Sequence, residues 1–377
     1  MSDEVLRDLA QRAGIAVEWQ DAAGTRHVVA PEVLRRVLAA LRLPADSSRD
    51  LAASRRLLMK RGSLADLPPL LTALAGRPTR LEVGGNEPQP AELVLERGGT
   101  RALSLLPARG RLRIPAISEI GYHRLRVADR EVVLAVAPPR CRAIEDIVPD
   151  PRLWGIAAQL HGLRRSGDGG IGDLAGVAEL ARAAGAKGAD AILLSPMHAL
   201  YAADPGRFGP YAPSSRLFLN PLHAAPDLVF GGGAGQPAAS PNGLTDWVAG
   251  AGAKYAALRN RFYSFLDSDE WNGALGADFA RFRAEGGRLL LDHACFEALQ
   301  AGRMPQLEWR EWPVDLREPG GAAVACFADA YPDEVLFHQF LQWVSDRSVA
   351  AAQDAARQAG MRIGLIRDLV MGMDPAG

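Results

Sequence analysis

The sequence predicts an α/β protein in which a parallel β–α–β region follows a helical region and a small antiparallel β-sandwich. Three apolar runs, WGIAAQL, ADAILLSP and MRIGLI, each end abruptly in polar or Gly- and Pro-rich residues. That pattern is typical of barrel strands whose carboxyl ends carry a site. Earlier in the chain, between about Arg77 and Ala137, apolar and polar residues alternate instead, as in half-buried antiparallel strands. With 377 residues, the chain is long enough for two or three domains.

Residues 1–72 have the apolar spacing of helices. One apolar face begins at Val5 and is ended by Gly14, and a second begins at Pro31 and stops before Pro44. A third helix is expected over Leu51–Lys60. We therefore assign residues 1–72 to a helical N-terminal region.

Residues 73–140 are predicted to form a β-sandwich accessory domain. Short segments of period two are separated by turn residues such as Gly-Asn and Gly-Gly. The five segments are TRLEVG, AELVLE, RALSLL, GYHRLRV and EVVLAV. This spacing suits a small antiparallel sandwich, and the prolines at 138, 139, 149 and 151 are expected to mark a linker.

Residues 150–377 are predicted to begin a parallel sheet. The strand LWGIAAQL, a helix capped by Asp173 and the strand ADAILLSP form a β–α–β unit with a right-handed crossover. A long excursion, about Ala199–Asp333, follows, with a loop that includes Gly231–Gly233 and Pro237. The excursion is expected to contain helices near 251–265 and 279–299, the latter interrupted at Gly286-Gly287. A further amphipathic helix leads into the third strand, MRIGLI.

Composition and charge exclude several classes of function. The 43 basic and 44 acidic residues leave a net charge of −1, which does not favour a nucleic-acid or membrane surface. The first residues are acidic and amphipathic, and no run of about 18 apolar residues occurs, so we expect a cytoplasmic protein. Cys141, Cys295 and Cys326 have neither metal-like spacing nor the even number of a disulfide framework.

A glycine-rich segment, residues 167–173, lies between the first strand and its helix. A phosphate-binding loop is one interpretation, but the segment lacks the Lys-Ser/Thr of such loops and the glycine spacing of a dinucleotide fingerprint. The interpretation we favour is a tight turn in which the Asp173 carboxylate caps the helix.

The loop that begins at Asp204 contains Tyr211 among prolines and serines. Sugars have apolar C–H faces and many hydroxyl groups, so stacking on Tyr211 with hydrogen bonds from its neighbours is one natural role. A surface loop held rigid by prolines is the alternative, and the residues alone leave both open.

Asp368 follows the strand MRIGLI with one residue between them. A carboxylate at the carboxyl end of a barrel strand indicates a site residue, whereas a cap or loop turn suits Asp374 better. His161 and His198 follow predicted strands and are candidates for the mouth of the site, while His338 is expected to be a satisfied core histidine.

At these motifs the chain closely resembles the 4-alpha-glucanotransferases (amylomaltases, or disproportionating enzymes) in their longer bacterial form. The resemblance rests on several blocks in the same order over about Trp154–Gly377, and residues 1–140 fit the accessory domains of that form. The blocks are WGIAAQLHGLR with GIGDL, LLSPMHALYAADP, PYAPSSRLFLNPLH, and FLQW with AAQDAARQAGMRIGLIRDL and GMDP. One departure is Gly169, where the family usually has an aromatic residue.

The resemblance implies a (β/α)8 barrel, of which this chain contains about three strands, and a retaining double displacement on 1,4-alpha-glucans. It implies no metal and no organic cofactor, and maltooligosaccharides as partners, while the oligomeric state is left open. Tyr211 resembles the family's sugar-contacting tyrosine, and Asp368 the aspartate beside the scissile bond. The other substrate-binding candidates are Ser214, Ser215, Asn220 and His198.

In the family, the nucleophilic aspartate and the acid/base glutamate lie on later strands, so we assign no catalytic residue within the 377 residues. We expect these residues to be the N-terminal portion of a longer enzyme and to be inactive alone. One alternative is a non-catalytic glucan-binding or regulatory protein. Another is a hydrolase of the superfamily to which the 4-alpha-glucanotransferases belong.

Overall fold

The computed structural model describes residues 3–60, 67–148, 152–232, 244–303 and 308–377. The chain divides into two compact units, Met1–Ala143 and Ile144–Gly377. Two predicted features fall outside the described residues, namely the linker prolines 149 and 151 and the loop residues Gly233 and Pro237. The predicted boundary at residue 72 lies inside the first unit and stays a prediction.

The first unit begins with three helices, at the positions that the sequence predicts. They are α1 (Asp3–Arg12), α2 (Pro31–Ala40) and α3 (Ser48–Lys60). Leu6, Leu34 and Leu51 are among the buried residues that pack them together. A two-stranded ribbon, β1 (Glu18–Gln20) and β2 (Arg26–Val28), was not predicted. Its strands have three residues each and are mostly exposed, so they carry no apolar alternation.

A seven-stranded sheet follows, in the order β3-β9-β8-β5-β6-β7-β4. Its strands are β3 (Leu70–Leu74), β4 (Thr79–Gly84), β5 (Gln89–Val94), β6 (Thr100–Ala108), β7 (Arg111–Ile114), β8 (Gly121–Val127) and β9 (Arg130–Ala137). All five predicted segments are strands, and β3 and β7 are additional. The pairing of β3 with β9 is parallel, so the prediction of antiparallel pairing throughout is wrong for this pair. Alternate residues such as Leu93, Leu105 and Leu134 form the core.

The second unit contains the predicted parallel sheet, so the α/β class is confirmed. Its strands are β10 (Gly155–Ala158), β11 (Ala191–Leu194) and β14 (Gly364–Arg367), in the order β10-β11-β14. Helix α4 (Leu174–Gly185) joins β10 to β11. Gly364 starts β14 with φ +85°, a backbone conformation that favours glycine, and a Cβ there would lie 2.5 Å from the Gln353 side-chain nitrogen and displace that amide.

Asp190, which directly precedes β11, bonds to the residues before both neighbouring strands. Its carboxylate accepts from Trp154 N at 3.2 Å and from Arg362 Nε at 2.5 Å. Its carbonyl oxygen accepts from Ile363 N and Gly364 N, each at 3.0 Å. Asp190 is 3% exposed, and the hydrogen bond from Arg362 holds the pKa of its carboxyl group below the usual value. One residue thus aligns the amino ends of three strands.

The excursion between β11 and β14 consists of a short ribbon and five helices within the described residues. They are β12 (His198–Ala199), β13 (Ser215–Leu219), α5 (Pro226–Phe230), α6 (Trp247–Leu266), α7 (Ala274–Arg303), α8 (Ala322–Ala330) and α9 (Pro332–Gln358). The predicted interruption of α7 is confirmed, because Gly287 has non-helical angles of φ 50° and ψ −138°. None of the described helices combines the length and apolar character needed to cross a membrane.

Helix α9 belongs to two cores. Near its start, Phe340 and Trp343 are fully buried in an aromatic cluster with residues of α6 and α7. Near its end, Ala352 and Ala356 pack in the same core as α4 and the helix-facing side of the parallel sheet. The helix therefore connects the excursion to the sheet and places β14 beside β11.

We predict that Asp190→Ala lowers the free energy of unfolding by about 1–3 kcal/mol, because Trp154 N loses its acceptor and the hydrogen bond from Arg362 Nε to this carboxylate is lost. The pKa of Asp190 is lowered in the folded state, so its contribution is present above the unfolded pKa and is lost as the pH falls through the folded pKa. Urea denaturation at pH 7 and at acidic pH measures both effects.

The matched control is Asp354→Ala, an exposed aspartate on α9 that lies 3.9 Å from Arg357. We expect it to change stability by no more than about 0.5 kcal/mol. Equal losses in the two variants would contradict the role of Asp190.

Candidate functional site

One face of the parallel sheet is not covered by α4 and α9. The register aligns Ala157 of β10, Leu193 of β11 and Ile366 of β14 in one row. Leu193 is 44% exposed and Ile366 is 41% exposed, whereas Ile192 and Leu365 point to the helices. Since side chains alternate along a strand, this row lies on the face away from the helices.

Two residues beyond that row, three polar side chains follow on the same face. They are Gln159 after β10, Ser195 after β11 and Asp368 after β14. Parallel strands end at the same edge, so these three side chains meet. Together with Tyr211 they line a depression of about 550 Å³ whose floor is the apolar row.

Tyr211 reaches the depression from the loop between β12 and β13 and is 65% exposed. The end of this loop is fixed by Ser214, whose backbone N and Oγ donate to Ala199 O at 2.9 and 3.1 Å. Pro213 O accepts from Asp374 N at 2.9 Å, which ties the loop to the segment after β14. The ring of Tyr211 is therefore available on a loop with a fixed base.

Asp368 is half-buried at the rim of the depression. Within the described ranges, no donor lies at hydrogen-bond distance from its carboxylate, so the oxygens are available to accept from a ligand. His198 lies behind this segment, where its Nε2 accepts from Val370 N at 3.4 Å. Burial lowers the pKa of His198, which favours the neutral form that can accept this bond.

The remaining predicted site residues do not line the depression. Ser214 and Asn220 are buried, and the Asn220 side chain accepts from Leu222 N at 3.1 Å, capping a short turn. Ser215 accepts from Leu217 N at 3.2 Å. The structure thus brings Tyr211 and Asp368 together and places His198 behind them. Ser214, Ser215 and Asn220 instead form hydrogen bonds with backbone groups. Substrate contact by these residues stays a prediction.

Gln159 and Ser195 were missed by sequence reasoning. The signal was present, since each of them, like Asp368, is the first residue after its strand. The register between strands 35 residues or more apart was needed to place them beside Asp368. Ser195 Oγ also accepts from Leu160 N at 3.1 Å, a separation of 35 residues.

The glycine-rich segment is a turn held by two aspartates, as we favoured. The Asp173 carboxylate accepts from Ala175 N and Gly176 N at 3.1 Å and pairs with Arg165. The fully buried Asp168 accepts from Gly170 N at 2.8 Å and from Arg164 Nε at 2.6 Å. The N–H groups of Gly170, Ala175 and Gly176 are therefore already bonded to these two carboxylates, which favours the turn over a phosphate-binding loop.

Two glycines of this segment permit close approaches. A Cβ on Gly172 would lie 2.2 Å from Leu160 O, so no other residue fits. A Cβ on Gly169 would lie 3.0 Å from Lys254 Cγ, so the lysine stem occupies space beside the position where the family usually has an aromatic residue. Lys254 is buried and donates to Leu222 O at 2.6 Å.

The residues that line the depression could bind a ligand, but they do not include both carboxylates of a double displacement. Asp368 is the one carboxylate among the described residues that line it, and a retaining double displacement requires two. In the part of the chain that the structure describes, no group of three or more His, Cys, Asp or Glu residues could hold a metal ion. The exposed ring and the free acceptor suit a neutral, hydroxyl-rich ligand.

Comparison with known proteins decides the family. Residues 158–377 match the family profile described as 4-alpha-glucanotransferase. The chain belongs to the 4-alpha-glucanotransferase family. The family member from Mycobacterium tuberculosis is 34% identical over 417 residues, which cover 99% of this chain and 56% of that protein. The 4-alpha-glucanotransferase of Haemophilus influenzae is 26% identical over 277 residues, which cover 67% of this chain and 40% of that protein.

The fold is also that of a solved family structure. The crystal structure of amylomaltase from Corynebacterium glutamicum matches with a TM-score of 0.71 and 23% identity, over 100% of this chain and 56% of that one. At this identity the match shows the fold alone. The chain spans about half the length of the curated family members from Mycobacterium that it matches.

We predict that Asp168→Ala lowers the free energy of unfolding by about 1–3 kcal/mol, because Gly170 N and Arg165 N lose their acceptor and Arg164 loses this partner. Burial acts to raise the pKa of Asp168, but bonds from Arg164, Gly170 and Arg165 outweigh it and lower the pKa. The contribution is therefore present above the unfolded pKa and is lost as the pH falls through the folded pKa.

Chemical denaturation between pH 7 and pH 2 measures this effect, with the exposed Asp354→Ala as control. A loss that did not shrink in acid would contradict the assignment of the stabilisation to the Asp168 carboxylate.

Proposed function

We propose that this protein transfers a segment of a 1,4-alpha-glucan to a new 4-hydroxyl group, on glucose or on another 1,4-alpha-glucan, by a retaining double displacement. Family membership supports the reaction class. The observation that carries the proposal for this chain is the meeting of Tyr211, Asp368, Gln159 and Ser195 on one depression at the carboxyl edge of the sheet. We take the chain to act in the cytoplasm.

We propose further that β10, β11 and β14 are the first part of a (β/α)8 barrel. Three parallel strands with helices on one face and an apolar row on the other agree with that arrangement. The seven-stranded sheet of the first unit would be the sandwich accessory domain. The nucleophile and acid/base of the reaction are expected on later strands, so no residue described here is proposed as either.

In this proposal, Tyr211 and Asp368 bind sugar. The exposed ring of Tyr211 offers a face to the C–H groups of a glucose ring. The Asp368 oxygens accept from sugar hydroxyls, and a bond to a charged acceptor is about twice as strong as a neutral one. Gln159 and Ser195 supply further donors and acceptors on the same side, as polar groups do in a mostly apolar sugar site.

We predict that Tyr211→Ala weakens binding of maltoheptaose about 2- to 10-fold through lost stacking. Asp368→Asn should weaken it about 10- to 100-fold, because a hydrogen bond to a charged group is lost. Titration calorimetry on the 377-residue chain measures both constants. Neither variant should lower the melting temperature, since Tyr211 is exposed and the Asp368 carboxylate has no bond within the described residues.

The matched controls are Tyr122→Ala, a tyrosine of the first unit that is also 65% exposed, and Asp354→Asn on α9. Both should bind maltoheptaose like the wild type. Unchanged affinity in Tyr211→Ala and Asp368→Asn, with wild-type binding intact, would contradict the placement of the site.

Incubation with maltotriose tests the reaction. Transfer gives glucose together with longer maltooligosaccharides, whereas hydrolysis increases the number of reducing ends. We expect a chain that contains the nucleophile and the acid/base to redistribute chain length. Hydrolysis of maltotriose without transfer would contradict the proposal.

A further inference from the structure

A cluster of buried polar side chains lies apart from the depression, between α7 and α9. Glu297 and Gln300 of α7 are 3% and 5% exposed, and His338 of α9 is 5% exposed. His293, one turn before Glu297, is 9% exposed and stacks on Phe218 with ring centroids 3.8 Å apart. The reaction proposed above uses none of these groups.

Several atoms of this cluster lack a hydrogen-bond partner among the described residues. They are Glu297 Oε1, Gln300 Oε1 and His338 Nε2. His338 is a core histidine, as expected, but its Nε2 has no partner among the described residues. Buried polar atoms almost always have a partner in the protein or in ordered water, so these atoms require one.

A small cavity adjoins two of the three atoms. Glu297 and His338 line it from the two helices, together with His293, Gln342 and Ala202, and its volume is about 10 Å³. A buried water requires at least about 10–15 Å³ and usually makes two to four hydrogen bonds, so this cavity is at the lower limit for one water. Its wall is mostly apolar, and the polar side chains in it are those of Glu297, His293, His338 and Gln342.

We propose that this cavity binds a single water molecule that joins Glu297 to His338, and that the link makes Glu297 a positioning residue for the loop that carries Tyr211. The other carboxyl oxygen, Glu297 Oε2, accepts from Ala202 N at 3.3 Å. Ala202 lies at the start of that loop, just after Ala199, to which Ser214 returns at the loop's end. One carboxyl group thus connects α7, α9 and the loop.

The hydrogen bonds balance when the carboxyl group is neutral. Its hydroxyl donates to the water, the water donates to His338 Nε2, and the carbonyl oxygen accepts from Ala202 N. Burial raises the pKa of Glu297 to about 8, and burial lowers the pKa of His338 to about 3, with Arg259 adding to the effect. At neutral pH the acid therefore keeps its proton and the imidazole is an acceptor.

No cation among the described groups facing Glu297 offsets its burial. Tyr255 of α6 is partly buried, and its pKa is raised first by burial and then by Glu297. His293 of α7 is neutral, since burial lowers its pKa to about 3. A charged carboxylate at this position would be unpaired, which favours the neutral acid and hence the donor that the water link needs.

The first experiment tests the water and the proton directly. Infrared difference spectra between the wild-type chain and Glu297→Gln isolate one carboxyl group. We expect a protonated carboxyl band at pH 6 that disappears at about pH 8, and a crystal structure with one ordered water between Glu297 and His338. Exposed Glu285→Gln on the same helix is the control, and it should show no such band. An ionised Glu297 at pH 6, or an empty cavity, would overturn the proposal.

The second experiment tests positioning. Glu297→Leu should speed amide hydrogen exchange in residues 199–213 several-fold at pH 6, whereas Glu297→Gln, which still donates and accepts, should restore slow exchange. His338→Leu removes the other end of the link and should reproduce the Glu297→Leu effect, which keeps the test usable if Glu297→Leu does not fold. Unchanged exchange in both leucine variants would overturn the positioning role.

The folded pKa of Glu297 is raised, so its stabilising contribution is present below the unfolded pKa and is lost as the pH rises through about 8. The melting temperature of the wild type relative to Glu297→Gln should therefore fall between pH 5 and pH 9. A constant difference would count against the neutral acid.

The consequence for sugar binding rests on the function proposed above. Maltoheptaose affinity should fall about 3-fold or more in Glu297→Leu and return in Glu297→Gln. Absence of glucan binding by the wild type would contradict the proposed function, while the infrared band, the water and the exchange rates would still test this inference separately.

Discussion

The candidate site depends on the register that Asp190 imposes on the three parallel strands. Its carboxylate and carbonyl oxygen bond to residues before β10 and β14, so the strands start level with one another. Four residues later they also end level, which places Gln159, Ser195 and Asp368 in one layer. A slip of one residue in β14 would turn Asp368 to the opposite face of the sheet. Because the strands are aligned at their amino ends, the polar side chains that follow them lie side by side at the carboxyl edge of the sheet.

Tyr211 and Asp368 belong to different segments, but they are not positioned independently. His198 accepts from Val370 N, and Arg216 donates to the carbonyl oxygens of Val370 and Met371, so the β12–β13 ribbon fixes the segment that follows β14. The ribbon is in turn bonded to α9, because both ends of the Gln342 side-chain amide bond to the backbone of Leu219. The segments that carry the ring and the carboxylate therefore share one support.

The sequence predicts the helices and strands of this molecule better than it predicts which residues lie next to one another in the folded chain. The three strands, the Asp173 cap and the break in α7 follow from local signals: apolar runs, a capping side chain and adjacent glycines. Gln159 and Ser195 were missed because their role depends on register between distant strands. The ribbon β1–β2 is too short and exposed to show a pattern. In the sequence, Glu297 and His338 are indistinguishable from other helical residues. Only the packing of the helices shows that Glu297 Oε1 and His338 Nε2 have no partner among the described residues.

The distance along the chain between Asp190 and Arg362 also bears on the order of folding. The two are 172 residues apart, and each doubling of a closed loop adds only about 0.6 kcal/mol of entropy cost, so the contact is affordable at equilibrium. Contacts between such distant residues nevertheless form slowly. The ribbon and helices of the excursion can pack from more local contacts, and α9 ends directly before β14. Packing of α9 therefore brings β14 beside β11 and Arg362 beside Asp190, so that one helix closes a contact across 172 residues of chain.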